Sequence, residues 1–213
     1  MSDNIAYIPI FFVVFLFSLS FHEAAHAWTA ERFGDSTGRY MGRITLNPIP
    51  HIDIFGTIIF PLVGLLTGGM MFGWAKPVPV NTLQMRDRKL GDICTSAAGP
   101  LSNAILAIIF FTLAKLVAHN STVVVDTLGS LAVPVYLMLR IGLSLNIVLM
   151  IFNLLPIPPL DGSHVLQNLL PDGAAEAYER LRPYGFILMI GLLMTGVFSK
   201  IISPITGFVE GLL

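Results

Sequence analysis

Phe21-His22-Glu23-Ala24-Ala25-His26 lies near the end of an apolar run that starts at about Ile5 and reads IAYIPIFFVVFLFSLSF, then HEAAHAWTAERF. A run of this length is that of a membrane-spanning helix. Its most polar cluster therefore sits inside a bilayer or at its edge, where His and Glu are costly without partners or a task. On a helix, residues four apart lie one turn above each other on one face. His22 and His26 can thus offer two imidazole nitrogens to one metal ion. Glu23, next to His22, can reach a water bound to that ion, which is the chemical content of an HExxH pattern: two zinc ligands and a general base. The bland alternative is a polar helix end reaching water, or two histidines satisfied by neighbouring helices.

The rest of the chain agrees with a membrane setting. Its 213 residues are 54% hydrophobic and 12% charged, with a mean hydropathy of +0.78. Soluble domains carry about a quarter charged residues. Little sequence is left outside the apolar runs, so one intramembrane domain is expected over residues 1–213. The net charge of −1 argues against a nucleic-acid partner. Cys94, the only cysteine, excludes an internal disulfide and a cysteine-rich metal site. The first run has no basic leader and no clear cleavage site after it, so it reads as a retained helix.

The first helix is expected from about Ile5 to Phe33, ended by Gly34, Asp35 and Gly38. Arg32, Arg39 and Arg43 put this end in the cytoplasm and the histidines in the cytoplasmic half. Arg39 to Leu46 alternates weakly and suggests a short strand. Ile52 to Leu66 is apolar but about 15 residues long, short of the ~20 of a spanning helix. With basic residues on both sides of it (Arg43, then Lys76, Arg86, Arg88 and Lys89), it is expected to re-enter on one face. It leads through Gly68-Gly69-Met70-Met71-Phe72 into Ala75-Lys76-Pro77-Val78-Pro79-Val80, kept extended by its prolines.

A second span is expected from about Asp92 to Ala118, with Gly99 allowing close helix approach and Asn103 facing inward. Val123–Val125 in the following loop suggest an edge strand. A third span, about Leu131 to Leu155, carries Asn146 and Asn153 on one face. It also carries Arg140, read as paired or snorkelling rather than functional. Pro156, Pro158 and Pro159 break it. An amphipathic piece follows to Leu170, then a short helix, Ala174 to Arg182. The last span is expected from about Tyr184 to Ile202, with the tail, Ser203 to Leu213, at the outer interface. The fold class is thus all-α and polytopic: about four transmembrane helices, a re-entrant or short membrane element and minor β-strand segments.

A catalytic zinc usually has three protein ligands and a water. Asp161 is the best third candidate, because it follows a proline-broken helix where a carboxylate can be aimed at a cavity. HEAAH, then AAGPLSN (Ala97 to Asn103), then NLLPIPPLDG (Asn153 to Gly162), resemble the site-2 protease family of intramembrane zinc metalloproteases, in order and over nearly the whole chain. The resemblance implies His22, His26 and Asp161 as ligands of one Zn2+ per chain, and Glu23 as catalytic base. It implies a substrate or oxyanion role for Asn153, and an edge in FGWAKPVPVN against which an unwound substrate pairs. The resemblance is to a minimal form, expected without the PDZ or CBS domain that many members carry. Ser163-His164 stands where many relatives have Gly-Arg; His164 reads equally as a support for the metal site or as an interfacial residue.

The expected function is zinc-dependent hydrolysis of peptide bonds within or near transmembrane helices of membrane-protein substrates, in a multi-pass protein of the cell membrane. A catalytically silent zinc scaffold and a divalent-metal transporter remain as alternatives. The transporter predicts polar residues along several spans and an internal repeat, neither of which the sequence shows; the scaffold is hard to reconcile with an intact Glu23.

Overall fold

The first apolar run folds as one helix, α1 (Ser2–Phe33), in a computed structural model that describes residues 2–67 and 73–213. Gly34 ends it in a backbone region that L side chains avoid (φ 113°). After α2 (Thr37–Tyr40) come a π-helical stretch, Ile54–Ile59, and α3 (Phe60–Thr67). Then follow α4 (Arg88–His119), α5 (Ser121–Leu128), α6 (Ala132–Leu154), α7 (Asp161–Leu169), α8 (Asp172–Glu179), α9 (Gly185–Met194) and α10 (Val197–Glu210).

Among the described residues, three helical stretches are long and apolar enough to cross a membrane: Tyr7–Phe33, Arg88–His119 and Ser121–Leu154. The last span differs from the expected continuous helix. Asp172–Met194 and Val197–Glu210 meet at 61° and make a fourth span only if taken together. The bend falls at Gly196, whose φ of 69° breaks the helical path. Glycine in an apolar run is invisible to hydropathy, but it is where a helix turns at least cost. The tail is helical through Glu210, and Val209 and Leu213 pack on α4 and α6.

No strand occurs among the described residues, which corrects both expected strand segments. Within Arg39 to Leu46 the chain finishes α2 and turns at Gly42 (φ 67°), with Arg43 N–H bonded to Gly38 O at 2.8 Å. Val123–Val125 lie inside α5. A β-branched run needs a partner edge to become a strand; without one, a helix satisfies its backbone locally. The glycine-rich step 68–72, with Phe72 of FGWAKPVPVN, lies outside the described residues. From Gly73 to Val80 there is neither helix nor ladder, since Pro77 and Pro79 have no N–H to give.

The short apolar element leaves and returns at one place. Trp74 N–H bonds to Gly56 O at 3.1 Å, and Lys76 N–H to His51 O at 2.8 Å. These two bonds bring the chain after the element back beside its start. Arg43, buried, donates to Pro50 O (2.5 Å) and Lys76 O (3.2 Å) and closes its neck.

The core lies where α1, α4 and α6 meet. Phe11, Val14, Phe15 and Leu19 of α1 pack with Ile141 of α6 and Ala75 of the returning chain. Gly142 lets α6 approach the Phe110 ring of α4, where a Cβ would stand 2.6 Å from ring atoms. Arg140 has a partner: it donates to Glu210 at 2.8 Å, while Ser144 Oγ donates to the other carboxylate oxygen at 2.6 Å. It therefore ties α6 to α10, in line with the structural reading of that charge.

Candidate metal centre

His22 and His26 lie one turn apart on α1 and point their Nε2 atoms at each other, 3.0 Å apart. Asp161, the first residue of α7, brings Oδ2 to 3.1 Å from His22 Nε2 and 3.4 Å from His26 Nε2. Four-coordinate zinc with bonds of about 2.0–2.1 Å would space its ligands by roughly 3.3 Å. The three observed separations cluster around that value. Asp161 Oδ2 is buried without a hydrogen-bond partner. An orphaned carboxylate oxygen facing two imidazoles fits the donor set of a divalent cation, which removes the cost of burying it.

Gly99 supplies the room. A Cβ there would lie 2.4 Å from His26 Nε2 and 2.5 Å from His22 Nε2. Both rings therefore lie against the bare backbone of α4, which explains the glycine of AAGPLSN. Pro100, next in the chain, removes one amide from this turn of α4. Nearby, Thr95 O accepts from His26 Nδ1 at 2.7 Å. His22 Nδ1 is held by Asn103 Oδ1 at 2.6 Å.

Asp161 is delivered by the proline break. Leu154 ends α6, and Gly162 passes so close that a Cβ would stand 2.3 Å from Leu154 O. Only glycine fits after Asp161 at that distance. The far side of α7 is anchored to α4: Asn168 donates to Asp92 Oδ2 at 2.6 Å, and His164 Nδ1 lies 3.7 Å from the same oxygen. His164 thus lies beside the α7–α4 contact and outside the cluster of His22, His26 and Asp161.

Glu23 is as buried as the histidines, at 8% exposure against 5% for His22 and 8% for His26. Its Oε2 accepts from Val78 N–H at 3.0 Å. That contact is built from the loops. Asp35, fully buried, accepts from Thr37 through Oδ1 and from Asn81 N–H through Oδ2 at 2.6 Å. With Arg43 on Lys76 O, it holds residues 76–81 beside the lower part of α1. The sequence marks Asp35 only as part of the stop of the first helix and Arg43 only as a sign of the cytoplasmic side; nothing in a local pattern marks either as buried. Asn153 is not joined to the ligand cluster by any hydrogen bond among the described residues. It donates to Leu149 O of its own helix at 3.0 Å.

A sequence model of peptidase family M50 matches residues 10–196. The protein named "Putative zinc metalloprotease YwhC" of Bacillus subtilis is 39% identical over 197 residues, covering 92% of this chain and 85% of its own. "Putative zinc metalloprotease Rip2" of Mycolicibacterium smegmatis is 28% identical over 204 residues, covering 92% and 72%. Its namesake in Mycobacterium tuberculosis is 28% identical over 197 residues, covering 89% and 70%. No solved structure matches. The extent of the family match and of the first relative's identity places this membrane protein in peptidase family M50, the site-2 zinc metalloproteases.

Proposed function

We propose that this chain is an intramembrane endopeptidase that cuts peptide bonds within or beside transmembrane helices of membrane-protein substrates. One domain spanning residues 1–213 holds one zinc through His22, His26 and Asp161. The observation that carries this is the convergence of three ligand atoms, with an acidic residue next to the first of them on the same helix.

When bound, zinc supplies Lewis acidity, lowering the pKa of a water to about 7 and polarising the scissile carbonyl. Glu23 takes the proton of the attacking water and passes it to the leaving amine. Val78 N–H donates to Oε2 and orients the carboxylate. Asn153 Nδ2 has two hydrogens; one goes to Leu149 O and the second is the donor for the developing oxyanion. An apolar cavity of about 550 Å³ between α1, α6, α9 and α10, lined by Phe11, Phe15, Leu149 and Phe198 but by none of the three ligand residues, is the candidate place for an apolar substrate segment. With the cytoplasmic end of α1 set by Arg32, Arg39 and Arg43, the centre faces the cytoplasmic half of the cell membrane.

The test is cleavage of single-span proteins carrying helix-breaking residues, in liposomes. A strong chelator is expected to abolish cleavage and added zinc to restore it. Cleavage that persists in the chelator, with zinc shown to be removed, would rule the proposal out.

A further inference from the structure

A chain of buried amides leads from His22 away from the metal centre. Asn103 Oδ1 faces His22 Nδ1 at 2.6 Å. Asn103 Nδ2 faces Asn146 Oδ1 at 2.8 Å. Asn146 Nδ2 faces Ser18 Oγ at 2.9 Å and Gly142 O at 2.8 Å. Ser18, Asn103 and Asn146 are each 0% exposed, out of reach of bulk solvent. The chain crosses α1, α4 and α6.

Its direction is fixed at one end. Gly142 O is a backbone carbonyl and can only accept. The Asn146 atom beside it must therefore be the amide nitrogen, which turns Oδ1 toward Asn103. That oxygen also only accepts, so Asn103 must present its nitrogen there and its own oxygen to His22. An oxygen at His22 Nδ1 requires the ring to carry its proton on Nδ1. The lone pair is then on Nε2, the atom that faces His26 and Asp161. His26 reaches the same tautomer in one step, since its Nδ1 meets the carbonyl of Thr95.

We propose that Asn103 and Asn146 are positioning residues that set the tautomer and ring orientation of His22, with Gly142 O as their fixed reference. The proposal rests on the reading of His22 as a zinc ligand. Groups that orient a metal-bound histidine typically change metal affinity by about 10–100-fold.

The experiment measures Zn2+ affinity by chelator competition on the full-length protein in detergent, with thermal melting of each metal-free variant. Asn103→Leu keeps the volume and removes the acceptor; a loss of about 10–100-fold is expected. Asn103→Asp keeps an acceptor on His22 Nδ1, so its zinc affinity is expected to stay close to wild type even where its melting temperature falls. A residue that merely fills space gives the opposite order, because leucine packs and a buried carboxylate does not. Asn146→Leu keeps Asn103 beside His22 but removes the group that fixes its orientation, so the amide can turn its nitrogen to the ring; a loss of several-fold is expected. Asn103→Leu binding as tightly as wild type, or more tightly than Asn103→Asp, overturns the proposal. If Asn103→Leu does not fold, an unchanged affinity in Asn146→Leu overturns it equally. Zinc binding that survives His26→Ala contradicts the metal centre itself. Binding lost in His26→Ala but unchanged in both leucine variants contradicts only the relay.

Discussion

Gly99→Ala is expected to cut zinc binding and cleavage together, by about 100-fold or more, while the helices stay assembled. The added methyl would stand 2.4–2.5 Å from both Nε2 atoms, and the atoms it meets are not the free ends of flexible chains. His26 is pinned by Thr95 O and His22 by Asn103, both on the same helix as Gly99. The rings cannot retreat without losing those bonds, so α1 and α4 must part or the ligands must turn. Overpacking of this kind costs typically about 1–3 kcal/mol of stability, which a protein anchored by many helix contacts survives. Metal analysis and a melting curve on the same preparation separate the two effects. Full zinc and full cleavage in the Gly99→Ala variant would show that the imidazoles do not meet over this glycine.

Glu23→Gln is expected to leave zinc bound and to lower cleavage by about 10²–10⁴-fold, the usual worth of a positioned general base. Glutamine keeps the shape of the side chain and still offers an oxygen to Val78 N–H. It cannot take a proton from water at neutral pH. The metal ligands are untouched, so the zinc content should not change. This separation also distinguishes the enzyme from a zinc scaffold or a metal transporter, neither of which needs a proton acceptor at this position. Cleavage at the wild-type rate in Glu23→Gln would place the base elsewhere.

The parts of this centre that were legible in the sequence are those set by local spacing. The four-residue step from His22 to His26 fixes them on one face of α1, and the aspartate after the proline break is the third residue whose side chain joins their cluster. Hydropathy placed the second span at 92–118, within a few residues of the observed Arg88–His119. What could not be read depends on partners distant in the chain. Arg140 looked solitary because Glu210 is 70 residues away. Asn146 and Asn153 share a face by their seven-residue spacing. Yet Asn146 meets Asn103 and Ser18 in the core, while Asn153 bonds to its own helix near the proline break. The spacing gives the face and not the depth. Val78 reaches Glu23 through a backbone amide, which no side-chain pattern records. The bend at Gly196 and the missing strands have a similar origin: hydropathy and β-branching score residue types, whereas backbone path and strand pairing are decided by what packs alongside.

Zinc content per folded chain, measured on the purified protein in detergent for wild type and Asp161→Ala, bears on all of this at once. One zinc in wild type and a loss of most of it in Asp161→Ala is the expected result, because Asp161 Oδ2 completes the set at 3.1 and 3.4 Å from the two histidines. A properly folded wild type that takes up no zinc, or an Asp161→Ala protein that holds it as tightly as wild type, would contradict the metal centre and the hydrolysis built on it.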